Sequence, residues 1–230
     1  MITITNAHGD FRLFDKRGSI YSSRPDSYVG NEILCTNETH ILLVPYGQGW
    51  RKLRKVVMSL LNANATDNIL PIQNAEASQT LFQLLQEPEN CYNHIRRYST
   101  AVILASVFGQ RGANFESPKV QALYHAQEQF TEILAPGATP PVDAFPVLKY
   151  LPDVLSPWKA RARAIRREQR SLYYGLLNET RERMRTGKYS GCFMEKLLEQ
   201  QEKSELDEEH IVYTGGILVR ALAWHDPEHR

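Results

Sequence analysis

The chain has 230 residues, 42% hydrophobic and 23% charged, proportions ordinary for a folded domain and enough to bury a core. Lysine plus arginine number 27 against 26 for aspartate plus glutamate, so no global charge points to nucleic acid or to an anionic membrane. The cysteines Cys35, Cys91 and Cys192 are odd in number and widely spaced, which argues against a disulfide framework or a paired-ligand zinc site and favours a reducing, intracellular compartment.

No stretch is long and apolar enough for a signal peptide or a membrane span, so the expectation is a chain that neither enters the secretory pathway nor crosses a bilayer. The triplets at Asn37, Asn64 and Asn178 are then not glycosylated.

Residues 1–46 are rich in turn formers, among them Arg24-Pro25-Asp26 and Val44-Pro45-Tyr46-Gly47, and read as a short helix followed by a long loop. Helical patterns follow over Gln48–Leu61, over Asp67–Leu85 and over Tyr92–Gln110, the last containing the run AVILASVF at 101–108, apolar all round and therefore expected to be buried. After a helix over Ser117–Leu134, the prolines of 135–157 predict an extended apolar loop. Ser156-Pro157 restarts a long helix with Trp158, Ala162, Ile165, Leu172, Leu176, Thr180 and Met184 on one face, ending at Thr186-Gly187. A short helix over Cys192–Lys203 precedes a last one near Glu208, with capping residues in Ser204-Glu205-Leu206-Asp207. No strand pattern stands out, and the chain reads as mainly α.

The sharpest local feature is Tyr46-Gly47-Gln48-Gly49-Trp50-Arg51-Lys52-Leu53-Arg54-Lys55. Trp50 and Arg54 lie four apart, so on a helix they share a face and set an indole N–H beside a guanidinium fork, a pair suited to a carboxylate. The same spacing also suits a surface helix with an aromatic anchor and solvated lysines.

In order along the chain, Arg24-Pro25, the Tyr-Gly-x-x-Trp-Arg-x-x-Arg-Lys segment, AVILASVFG, Phe145-Pro146-Val147-Leu148-Lys149-Tyr150-Leu151-Pro152 and Leu206-Asp207-Glu208-Glu209 resemble cytochrome P450 heme-thiolate monooxygenases, particularly fungal secondary-metabolism types. The resemblance runs from about Phe11 to Val219. It implies a partial P450 fold, from the early helices to the start of the central helix, as one incomplete domain over 1–230 without most of the β-sheet or the heme-ligand loop. It implies that Trp50 and Arg54 hold a heme propionate and that Gly215 and Gly216 border the substrate region. Arg51, Lys52 and Lys55 would lie where an NADPH-dependent reductase docks. The loop over 26–44 and the segment after Leu134 would line the pocket of a small organic substrate or its entrance. Family members usually sit on the endoplasmic reticulum through an anchor that this sequence lacks.

The family's chemistry needs an axial cysteine thiolate. No Phe-x-x-Gly-x-Arg-x-Cys-x-Gly occurs, and the three cysteines read as ordinary free thiols, so no metal ligand is assigned. The central helix lacks the Ala-Gly-x-Asp/Glu-Thr pattern. After Val219 the sequence passes through Arg220 to Ala221-Leu222-Ala223-Trp224-His225-Asp226-Pro227-Glu228, which resembles a segment far downstream. The Glu182-x-x-Arg185 match lies before the central helix and reads as chance within a charged helix.

The expectation is a truncated P450 without turnover of its own, or alternatively an incomplete reading of a longer active enzyme. A third reading, from another class, is a helical binding protein that uses the basic helix 158–185, where Lys159, Arg161, Arg163, Arg166, Arg167 and Arg170 cluster. Its bland counterpart is a solvated helix face. With half the fold missing, apolar faces such as 101–108 are expected to be exposed or repacked.

Overall fold

A computed structural model describes residues 16–60, 63–201 and 206–223. The start of the resemblance at Phe11, the pair Ser204-Glu205 and the downstream-like residues 224–230 lie outside them.

The described residues fold as helices α1 (Gly18–Tyr21), α2 (Gln48–Leu60), α3 (Ala63–Gln86), α4 (Cys91–Phe108), α5 (Pro118–Leu134), α6 (Pro157–Arg185), α7 (Phe193–Glu199) and α8 (Glu208–Ala223). There is no strand among them. The loop before α2 is more structured than its composition predicts. A π-helical turn over Tyr28–Leu34 starts at Ser27, whose hydroxyl accepts from the Gly30 N–H at 3.1 Å, and it buries Val29, Ile33 and Leu34 against α6. The proline-rich segment after α5 forms short 3-10 turns over Pro146–Tyr150 and Asp153–Leu155, which leave Phe145, Val147, Tyr150, Val154 and Leu155 exposed.

Helix ends follow the local chemistry. Gly109, at φ +64°, closes α4 in the left-handed region that favours glycine, and Arg183 of α6 donates to the carbonyls of Phe108 and Gly109 at 2.6 and 2.9 Å. The same guanidinium pairs with buried Glu195 at 3.1 Å. Glu195 also accepts from the N–H groups of Ser190, Gly191 and Cys192, which fixes the entry to α7. Burial alone would raise this carboxyl's pKa, but the hydrogen bonds from Ser190, Arg183 and Gly191 outweigh it and hold it below the ordinary range. Asp207 caps α8, accepting from the His210 N–H at 2.8 Å. Ser156 stands before Pro157 as expected, yet its hydroxyl caps nothing and is buried without a partner.

The core lies around α8. Every described side chain from Ile211 to Arg220 is buried, and α8 packs on α4, α5 and α6 with a smaller contact to α2. Of the two outcomes expected for 101–108, exposure or repacking, the structure shows cover: Ala101, Val102, Leu104, Ser106, Val107 and Phe108 are buried, because α3 and α8 both pack on α4. The apolar residues without cover lie instead on the outer sides of α3 and α4, at Leu81, Phe82, Leu85, Tyr92 and Ile95.

A second tie joins α3 to α4 away from the apolar centre. Glu76, buried in α3, pairs with Arg97, which has no exposed surface, and with Arg111 at 2.9 Å. Arg97 also donates to the Glu76 carbonyl at 3.1 Å and to the Thr80 hydroxyl at 2.7 Å, so one ion pair is anchored at both ends by further bonds.

Candidate functional site

Helix α2 begins after the turn at Val44-Pro45-Tyr46-Gly47 and places Trp50 and Arg54 one turn apart, as the spacing predicts. The Arg54 guanidinium lies over the Trp50 ring at 4.9 Å, Trp50 leans on Tyr46 with centroids 5.1 Å apart, and Arg51 covers the Tyr46 ring at 5.2 Å. The result is an aromatic pair flanked by two cations. Trp50 is half-buried and Arg54 exposed, and Arg54 is in no ion pair among the described residues. A stacked guanidinium with its fork unclaimed, beside an indole donor, has the chemistry to take a carboxylate.

Sequence reasoning missed the residues on the approach to this helix. Asn37 and Glu38 both take left-handed backbone angles, φ 59° and 57°, and carry the Glu38 carboxylate against Gly49, where a Cβ would lie 1.9 Å from Glu38 Oε2. A bare glycine lets that carboxylate reach the start of α2, where negative charge is favoured. The paired positive φ carries no simple sequence signal beyond the asparagine.

Arg51, Lys52 and Lys55 are exposed on α2. The central glycines sit at close helix contacts. A Cβ at Gly215 would meet Met194 Sδ at 2.7 Å and Phe108 Cζ at 2.8 Å, and one at Gly216 would lie 2.4 to 2.6 Å from the Tyr173 ring. Both glycines let neighbouring side chains approach α8 closely, Met194 and Phe108 at Gly215 and Tyr173 at Gly216.

The three cysteines are free, Cys35 and Cys192 buried and Cys91 partly so. Cys35 is buried, and burial pushes its thiol up to about 12, only partly offset by the charges of Arg220 and Arg166. The Cys192 thiol is raised too, by burial first, and occupies the start of α7. Cys91 opens α4 half-buried. No group of three or more potential metal-ligating residues occurs among the described residues. Of the groups the sequence singles out, the indole and guanidinium of Trp50 and Arg54 lie side by side on α2, and the three thiols lie elsewhere, each at least partly buried.

Most of the basic stripe of α6 is engaged within the protein. Lys159 is buried and donates to the carbonyls of Lys149 and Leu151, both at 2.8 Å, and Arg161 pairs with Glu132, Arg163 with Asp153, and Arg166 and Arg170 with Glu209. Five of the six basic residues singled out in the sequence thus have partners within the protein, while Arg167 is exposed and in no ion pair among the described residues. Glu182 and Arg185 form an exposed pair at the end of α6, as a chance match inside a charged helix would.

The family model for Cytochrome P450 matches residues 1–221. The chain is 36% identical over 221 residues to the cytochrome P450 monooxygenase patH of Penicillium expansum, covering 95% of this chain and 42% of that protein. It is 35% identical to the cytochrome P450 monooxygenase acuC of Aspergillus aculeatus, covering 95% and 41%. A zebra fish cytochrome P450 structure, determined with progesterone, superimposes with a TM-score of 0.63 at 18% identity over 90% of this chain and 46% of that one, a likeness of fold alone. The chain spans about two fifths of the length of the curated relatives it matches. Among the described residues no helix is long and apolar enough to cross a membrane. On the family match, the shared fold and the order of its helices, the chain belongs to the cytochrome P450 family.

Proposed function

We propose that this chain carries the propionate-holding part of a fungal P450 monooxygenase of secondary metabolism and does not perform the oxygenation alone. The single observation behind the proposal is the Arg54 guanidinium stacked at 4.9 Å on Trp50, in no ion pair among the described residues, on the helix that opens with Tyr46-Gly47. In the family, bound heme supplies the oxidising chemistry for inserting one oxygen atom into an organic substrate. Here Trp50 would donate its indole N–H and Arg54 its guanidinium to a propionate, and the stacking would hold that fork in place. Arg51, Lys52 and Lys55 form the basic face proposed to meet an electron-donating reductase. Membrane association at the endoplasmic reticulum belongs to the same reading by family likeness.

Hemin titration of the purified chain tests the clamp. Trp50→Ala and Arg54→Ala are expected to weaken binding about tenfold each, as loss of one charge-assisted contact does. Equal affinity in wild type and both variants would sink the proposal. The ferrous carbonyl complex is expected to lack the thiolate-type Soret shift, because the sequence has no Phe-x-x-Gly-x-Arg-x-Cys-x-Gly segment. Sequencing the transcript across the codon for Arg220 separates a chain made as written from part of a longer enzyme.

A further inference from the structure

The last turn of α3, the first two turns of α4 and the loop before α5 meet away from the apolar centre. A 3-10 turn over Pro88–Asn90 joins the two helices. On α4, Asn93, His94 and Arg97 lie three and four apart and so share one side of the helix. The His94 Nε2 donates to the Glu87 carbonyl at 2.9 Å, which ties that side to the end of α3. Between the two helices, with residues 114–116 as a third wall, lies a cleft of about 170 Å³. It is smaller than a drug-sized site, which starts near about 300 Å³, yet several times the roughly 30 Å³ share of one water.

The lining is polar on nearly every side and mixes donors with acceptors. Arg97, at the floor, has no exposed surface; its two Nη groups go to Glu76 and Thr80, while its Nε–H has no partner among the described residues. On α3, Gln83 Oε1 is likewise shut off from water and without a partner among them. Each such group keeps its full desolvation cost unless something in the cleft answers it. At the rim stand two exposed carboxylates, Glu87, which also accepts from Asn90 Nδ2 at 3.1 Å, and Glu116. Phe115, tilted on Tyr124 with centroids 5.5 Å apart, supplies the one aromatic surface.

These groups select the class of occupant. The rim carboxylates oppose an anion, and the Arg97 N–H puts a donor where a metal ion needs an oxygen. An apolar molecule would leave the Arg97 donor and the Gln83 acceptor unanswered. A neutral polyhydroxyl ring meets all of them, because each hydroxyl both donates and accepts and the C–H face of the ring suits Phe115. We infer that this cleft binds a single neutral sugar ring, one hydroxyl accepting from Arg97 Nε and another donating to Gln83 Oε1, with Asn93 and the rim carboxylates taking further hydroxyls. The site uses neither Trp50 nor Arg54 and does not rest on the heme proposal.

The test titrates the isotope-labelled full chain with methyl β-D-glucopyranoside and follows the Arg97 Nε–H and the Gln83 and Asn93 side-chain amide resonances. Trimethylamine N-oxide controls for osmolyte exclusion, and sodium acetate and calcium chloride, at matched ionic strength, carry the anion and cation arms. The glucoside is expected to shift these resonances saturably at millimolar concentration, and the other three solutes to leave them in place. Gln83→Met removes a buried acceptor at nearly constant length, so it is expected to melt no lower than the wild type and to bind the glucoside about tenfold more weakly. Asn93→Leu, which puts an apolar side chain on that wall, is expected to remove the Arg97 shift. The inference is overturned if the glucoside leaves the resonances unmoved, if acetate, calcium or the N-oxide moves them as much, or if both variants bind the glucoside like the wild type.

Discussion

At single positions, the two central glycines and His40 make the sharpest claims. Gly216→Ala would drive a methyl into the ring of Tyr173, which is fully buried and tied to Arg220, so repacking is blocked. The expected loss is about 1–3 kcal/mol in chemical denaturation. Gly175 of α6 is the control, because a Cβ there meets nothing within 4 Å and alanine is expected to stabilise by about 0.5–1 kcal/mol. His40 sets a pH dependence whose sign follows from its pKa, which burial and the Arg220 charge depress. Below pH 6.5 the unfolded chain takes up a proton that the native ring refuses down to about 3, so stability is complete above 6.5 and falls as pH drops through that window. The slope contributed is at most about 1.4 kcal/mol per pH unit, and His40→Phe is expected to flatten it in urea melts at stepped pH. The pairing of Trp50 with Arg54 was legible from a four-residue spacing. His40 was not, since its neutrality comes from burial beside Phe130 and Arg220, far from it in sequence.

Among the elements, α2, α4, α5, α6 and α8 fall within a residue or two of their predicted ranges, while α7 ends at Glu199 rather than Lys203 and Ser156 does not cap α6. The π-helical turn over Tyr28–Leu34 escaped notice because Pro25, Gly30 and their polar neighbours carry turn chemistry, while the apolar residues that bury it are too few to show a period. Partner choice was equally hidden. Lys159, Arg161, Arg163, Arg166 and Arg170 form a basic run in the sequence, and their carbonyl or carboxylate partners come from three separate segments. The α3–α4 junction gives a prediction of the same kind. Glu76→Gln would leave the Arg97 charge buried without its partner, and the expected cost is about 3–5 kcal/mol by equilibrium denaturation. Replacing both Glu76 and Arg97 by methionine is expected to recover much of that loss, which a double-mutant cycle measures.

For the molecule as a whole, the helical class and family were legible because several ordered motifs agreed, and the comparisons bear both out. What composition could not convey is how completely α8 would be enclosed, since mutual burial depends on which helices happen to surround it. Exposed apolar side chains remain on α3, α4 and the segment after α5, but the centre is closed. That enclosure has a consequence for biosynthesis. The sides of α4, α5 and α6 that face α8 lack that cover until Glu208–Ala223 has left the ribosome, so the nascent chain carries this apolar surface until then. Ribosome-bound chains arrested before α8 emerges are expected to be cut rapidly by protease within α4, and chains arrested after it emerges to resist; equal cleavage of the two would show that the core closes without its central helix.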